Sequence, residues 1–160
     1  AVYRIFTEEM EKVESNGSGM TLKRTIWRVV HGDTGDRLEQ VDRNTRLRTG
    51  DVLRVQFDIS TDRNLEYVQL SDMRAATVEP VSTAAGYRYN WRDDIGYYDA
   101  PGNTRNVFYI ERLSKGSYRL EYEVKVQKPG RFNAGIAVIQ CLYAPQFRAT
   151  TTSATLTVAE

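Results

Sequence analysis

An all-β fold, an antiparallel β-sandwich, is what this sequence predicts, and three observations predict it. Apolar and polar residues alternate with period two in the clearest segments. Turn-forming residues stand at the breaks between those segments. No long stretch carries a helical period. The alternation is cleanest at Leu53, Val55, Phe57 and Ile59, separated by Arg54, Gln56 and Asp58. It is longest at Tyr118, Leu120, Tyr122, Val124 and Val126, separated by Arg119, Glu121, Glu123 and Lys125. Successive side chains of a strand point to opposite faces, so each pattern buries one face and leaves the other in water.

The remaining elements follow in order. Ala1–Phe6 reads as a strand. Thr7–Glu14 has room for one or two helical turns, with Met10 and Val13 on one side, before Ser15–Gly19 stops it as a flexible link. Further strands are expected over Met20–Val30, Leu38–Val41 and Leu65–Leu70. Three more, Val107–Leu113, Phe132–Leu142 and Ala154–Val158, are rich in β-branched or aromatic residues. The run from His31 to Asp36 (HGDTGD) reads as a hairpin loop. Thr49-Gly50-Asp51, Lys115-Gly116 and Lys128-Pro129-Gly130 each stand just before a strand. Ser82–Asn106 has no clean period and is read as one long irregular loop, a kind of segment that is usually functional or mobile. The chain thus divides into a connecting strand and link, 1–19, and a sandwich domain, 20–160. It has no initiator Met and no long apolar leader, so it reads as a piece of a larger polypeptide.

Composition excludes several function classes. The 160 residues are the usual size of one domain, and 41% of them are hydrophobic, so a packed core is available. Lys and Arg number 22 against 21 Asp and Glu, without the basic excess of a nucleic-acid binder. No apolar run approaches the roughly 18 residues of a membrane-spanning helix, so direct membrane insertion is not expected. One Cys (Cys141) and one His (His31) make neither a disulfide nor the usual zinc site. With no base placed beside it, Cys141 reads as a small buried strand residue rather than a nucleophile. No catalytic residue, cofactor or metal is assigned. Asp93-Asp94, with Asp99 and Asn103 nearby, lack the spacing of a calcium loop and read as part of a solvated loop. Arg43, Arg46 and Arg48 read as a charged edge-strand face that blocks unwanted pairing.

Two segments carry the candidate sites. Tyr87, Tyr89, Trp91, Tyr97 and Tyr98 fall in the 82–106 loop among Arg88, Arg92, Asp93 and Asp94. Tyr, Trp and Arg are enriched at interface cores, and the same composition serves a loop that packs on its own sandwich. Stacking on sugar rings is a further use, which makes a carbohydrate-binding sandwich the alternative reading. The second segment is Leu142-Tyr143-Ala144-Pro145, at the end of a long strand. If that strand continues, Leu142 and Tyr143 face opposite ways, one anchoring inward and one facing outward.

Ordered blocks along the chain add a resemblance. They are Gly50-Asp51-Val52-Leu53-Arg54-Val55, Leu65 to Asp72 (LEYVQLSD), Arg74-Ala75-Ala76, Val78-Glu79-Pro80, Leu113 to Tyr118 (LSKGSY), Glu121-Tyr122, Pro129-Gly130-Arg131-Phe132, and Gln140 to Phe147 (QCLYAPQF). In this order the chain, over about residues 20–158, resembles the last macroglobulin-like domain of bacterial alpha-2-macroglobulins. The resemblance implies a macroglobulin-like sandwich of immunoglobulin/fibronectin-like architecture, non-catalytic, that packs on neighbouring domains of the same polypeptide. A thioester-type domain is the first of these neighbours. It further implies a parent that traps a target protease in the bacterial periplasm or cell envelope. In the family the residue shielding the thioester lies in the Tyr-x-Pro loop, commonly a Met before the Tyr, where this chain has Leu142. The resemblance points to Leu142, Tyr143 and Pro145 as interface residues; Tyr87, Tyr89, Trp91, Tyr97 and Tyr98 of the aromatic loop join them on composition alone. No Cys-x-x-Gln motif follows Cys141, so any thioester of the parent lies outside this chain.

Overall fold

The computed structural model describes residues 19–160. The strand expected over Ala1–Phe6 and the helical turns over Thr7–Glu14 lie outside the described residues. The described chain is all-β. One layer is a five-stranded sheet of β1 (Met20–Gly32), β2 (Gly35–Gln40), β4 (Val52–Thr61), β6 (Val78–Pro80) and β10 (Gly116–Val126), in the order β2-β1-β4-β10-β6. The other is a six-stranded sheet of β5 (Leu65–Met73), β7 (Gly86–Asn90), β8 (Ile95–Pro101), β9 (Arg105–Leu113), β12 (Ala137–Cys141) and β13 (Ala144–Thr150), in the order β13-β12-β5-β9-β8-β7. A small third sheet joins β3 (Arg46–Arg48), β11 (Gly130–Ala134) and β14 (Ala154–Ala159), in the order β11-β14-β3. Every pairing is antiparallel except β3 with β14.

The alternation read in the sequence places the core. Leu53, Val55, Phe57 and Ile59 of β4 and Leu120 and Val124 of β10 are buried. They face Val68 and Leu70 of β5, Phe108 and Ile110 of β9, and Ile139 of β12. Phe57 meets Phe108 across the layers, edge to face, at 6.1 Å between ring centroids, and lies nearly parallel to Tyr122 at 6.2 Å. Such aromatic pairs add about 0.5–1.5 kcal/mol beyond their burial.

One polar lock crosses this apolar interior. Arg24 of β1 donates from Nη1 to Asp72 Oδ1 of β5 at 2.6 Å, and Tyr122 of β10 donates its hydroxyl to Asp72 Oδ2 at 2.5 Å. The second Arg24 amine, Nη2, donates to the Thr152 carbonyl at 3.1 Å. Asp72 is 2% exposed. Burial lifts its carboxyl above the ordinary range, against the opposing pull of the Arg24 charge and the Tyr122 hydrogen bond. Burial, followed by the Asp72 charge, holds the Tyr122 hydroxyl well above its ordinary value, so Tyr122 remains the donor. The lock uses both oxygens of one carboxylate, as a buried charge requires.

Three expectations are corrected. The strand expected over Phe132–Leu142 is two strands in different sheets, β11 and β12, with Gly135 at the break. A side chain at Gly135 would place its Cβ 2.9 Å from Met73 Cβ, so the crossing closes only over glycine. The loop expected over Ser82–Asn106 holds the β7–β8 hairpin, which extends the six-stranded sheet beyond β9. Gln56, expected in water, is buried on the outer side of β4: it accepts from Trp27 Nε1 at 3.1 Å and donates to Asp58 at 2.9 Å. Arg46 and Arg48 are exposed on β3, an edge strand, on either side of the buried Leu47.

Candidate interaction surface

The site residues named from sequence belong to two hairpins at opposite edges of the six-stranded sheet. At one edge, β7 and β8 are joined by a tight turn, Trp91–Asp94. Asn90 Oδ1 accepts the backbone N–H of Arg92 at 3.0 Å and of Asp93 at 3.3 Å, an Asx turn. Asp94 takes a left-handed backbone conformation, φ 56°, which Asp tolerates better than most residues. The turn is also tied to the other sheet. Asp93 Oδ2 accepts the Arg119 backbone N–H at 2.7 Å, and Asn90 Nδ2 donates to the Arg119 carbonyl at 2.8 Å. Strand β6 pairs with β10 only at Val124–Val126, so these two side chains cap the strand edge that β6 leaves open.

Period two then divides the aromatic residues of this hairpin. Ile95 is buried, and Tyr97 packs edge to face on Phe108 at 5.6 Å. Burial and then the Asp99 charge raise the Tyr97 hydroxyl above its ordinary value. Tyr87 and Tyr98 lie opposite each other on the outer face, edge to face at 4.9 Å, and Tyr98 is in register with Tyr109. Tyr89 lies over the strand position of Gly96, and Trp91 leans on Tyr89 at 4.5 Å. Tyr87 and Trp91 are the most open of the set, 84% and 85% exposed. Tyr97 thus packs on its own sandwich, while Tyr87 and Trp91 face out. Asp93 and Asp99 serve the hairpin itself, Asp99 by accepting from Asn106 Nδ2 at 2.8 Å.

At the opposite edge the β12–β13 hairpin carries Leu142 and Tyr143 at its tip and Pro145 exposed on β13. The expectation that Leu142 or Tyr143 anchors inward is not met: they are 40% and 81% exposed, and the inward residue is Cys141. The Cys141 thiol is buried and donates to the Glu66 carbonyl at 3.2 Å, as a packed strand residue does. His31 pairs with Asp36 at 2.7 Å in the exposed β1–β2 turn, on a different sheet from Cys141.

The sequence did not single out the residue beneath this tip. Tyr67 of β5 has φ 57°, where a bulky side chain is an outlier costing about 1–3 kcal/mol. Its carbonyl accepts the Leu142 N–H at 2.9 Å, and its ring stands edge to face with Tyr143 at 5.3 Å. Between the hairpins, the register Tyr98–Tyr109–Gln69–Gln140–Arg148 runs across the outer face of the sheet. Gln69 and Gln140 line a shallow groove of about 260 Å³ with Met73, Arg105, Ile136 and Val138. Cross-strand rows of this kind have no local sequence signal, because each member comes from a different strand.

Residues 19–146 match the family model described as the bacterial alpha-2-macroglobulin MG10 domain. The chain belongs to that family. The matched residues run from the start of β1 into β13, so both hairpin tips belong to the MG10 pattern. No curated protein matches the chain. Among solved structures, a mutant of Salmonella alpha-2-macroglobulin is similar at 21% identity and TM-score 0.70, over 93% of this chain and 10% of that one. Native Escherichia coli alpha-2-macroglobulin from domain MG7 to the C-terminus is similar at 17% identity and TM-score 0.66, over 92% of this chain and 24% of that one. The native E. coli protein seen by electron microscopy gives 17% and 0.67, again with 10% of its chain covered. These likenesses establish the sandwich fold. The MG10 domain spans about a tenth of the Salmonella chain that it matches.

Proposed function

We propose that this MG10 domain is a non-catalytic packing module of a bacterial protease trap, and that its β12–β13 tip seats against a neighbouring domain of the same polypeptide. The observation that supports this reading is Tyr67. A strand tyrosine held in left-handed backbone is a local cost; its carbonyl ties down the tip through the Leu142 N–H, while its ring is spent on Tyr143 in the open. It makes sense as support for a rigid aromatic contact, because a side chain already ordered loses little entropy on docking. Leu142 and Tyr143 then form the apolar centre of the contact, and Pro145 stiffens the strand that follows it. The row from Tyr87 through Tyr109 extends the same outer face, a composition typical of interface cores.

By family resemblance the neighbour is the thioester-type domain, the tip covers its thioester, and the parent works in the periplasm or cell envelope against a protease. The test replaces Tyr143 by Ala in the parent protein. Stability of the MG10 domain should change by less than about 0.5 kcal/mol, as for exposed substitutions generally. Reaction of the parent with methylamine should accelerate at least about 10-fold, the loss of one good aromatic contact. An unchanged methylamine rate in a parent that carries a thioester rules out the covering role.

A further inference from the structure

On the other side of the molecule, the outer face of the five-stranded sheet is not a smooth surface. The β7–β8 turn overhangs it, held there by Asn90 and Asp93, and two cavities open beneath. One, of about 540 Å³, is lined by Gln56, Glu121, Tyr89 and Tyr97 together with Arg92 and Arg119. The other, of about 510 Å³, shares Arg92 and Arg119 and continues past Asp58 to Ser60 and Lys23. Together they follow β4 from Arg54 to Ser60, about 20 Å of strand. Each volume is in the usual range of small-ligand sites.

We infer that this groove binds a neutral oligosaccharide. Its wall is aromatic: Tyr89 and Tyr97 line it, and Trp91 stands against Tyr89. Its floor is polar but balanced. Arg119 pairs with Asp58 at 3.0 Å and Arg54 with Glu123 at 3.0 Å, and Gln56 is fixed by Trp27 and Asp58. Aromatic faces take the C–H faces of sugar rings, while planar guanidinium, carboxylate and amide groups meet pairs of hydroxyls. With the floor arginines already neutralised, an anionic polymer gains little there. A protein segment is the weaker fit, because the groove has no deep apolar socket for an anchor side chain. Its length favours a chain of several sugar rings over a monosaccharide.

The experiment titrates the 160-residue chain with chitohexaose, cellohexaose and oligogalacturonate by calorimetry, with tryptophan fluorescence as a second signal from Trp91 and Trp27. Saturable binding of at least one neutral hexaose is expected, with oligogalacturonate at least about 10-fold weaker. Tyr89→Ala should weaken binding about 10-fold. Glu121→Ala, at an exposed position, should weaken it several-fold with an unchanged far-UV spectrum. Tyr143→Ala should titrate like the parent sequence, which separates this proposal from the docking role of the β12–β13 tip. Absence of saturable binding at millimolar sugar overturns the proposal, as does equal binding by Tyr89→Ala. Loss of domain association on Tyr89→Ala without any sugar binding identifies a protein seat instead and equally overturns it.

Discussion

The two hairpins that edge the six-stranded sheet differ in how much of their aromatic content is needed at home. The β7–β8 hairpin has five aromatic residues in and beside its strands, yet it is anchored by Ile95 and Tyr97 in the core and by Asn90 and Asp93 on Arg119. The β12–β13 tip has one aromatic residue, no side chain of its own in the core beyond Cys141, and a strained neighbour beneath it. Aromatic density is therefore a poor guide to which rings the domain leaves free. What distinguishes the β12–β13 tip is an exposed ring that stands on a residue held in left-handed backbone.

The comparison breaks first at the floor common to both hairpins. Asp72→Ala leaves the Arg24 charge buried without its partner and should cost about 3–5 kcal/mol in a urea titration, loosening both hairpins together. The pH dependence has a definite sign. The Asp72 carboxyl is raised on folding, so the folded chain holds this proton more tightly than the unfolded one. Its contribution to stability is fully present below the unfolded carboxylate value of about 4 and declines as pH rises through the folded value. Asp72→Asn should remove that slope. An unaltered slope in the Asn variant assigns the titration to another group.

A middle-sized effect sharpens the contrast. Tyr97→Ala removes the half-buried ring from Phe108 and should cost about 2–3 kcal/mol, somewhat less than a fully buried aromatic. Hydrogen exchange should speed up in β7 and β8 and remain slow in β12 and β13. Equal loosening of both edges would mean that the hairpins are not independently anchored. The smallest effect is the most telling. Tyr67→Gly relieves the left-handed strain but loses one exposed ring contact, so the melting temperature should shift by only a few degrees. The same variant should match Tyr143→Ala in the methylamine reaction of the parent. A large drop in stability instead would show that Tyr67 supports the sheet rather than the tip.

Much of the fold was legible in local pattern. The rows Leu53–Ile59 and Tyr118–Val126 read correctly as strands, because half-burial imposes period two wherever one face meets a core. The turns at Gly50, Gly116 and Gly130 read correctly as well, and all three have positive φ. The β7–β8 hairpin was missed although Tyr87, Tyr89 and Trp91 alternate, since the face that turns inward mixes Arg88 and Asp99 with Ile95 and Tyr97 and does not read as buried. The candidate residues were chosen by type, but their separation into Tyr97 inward, Tyr87 and Tyr98 on the outer face, and Trp91 exposed against Tyr89 was not legible.

Sequence alone thus determined the long core strands, the turns before them and the family, because these depend on residues near one another along the chain and on ordered short blocks. Tertiary structure alone decided that Phe132–Cys141 is shared between two sheets at Gly135, that Gln56 is buried on an outer face, and that Tyr67 lies under Tyr143. Each of these is a meeting of residues distant in sequence, fixed by which strands pair and which faces close, and period two carries no record of the partner.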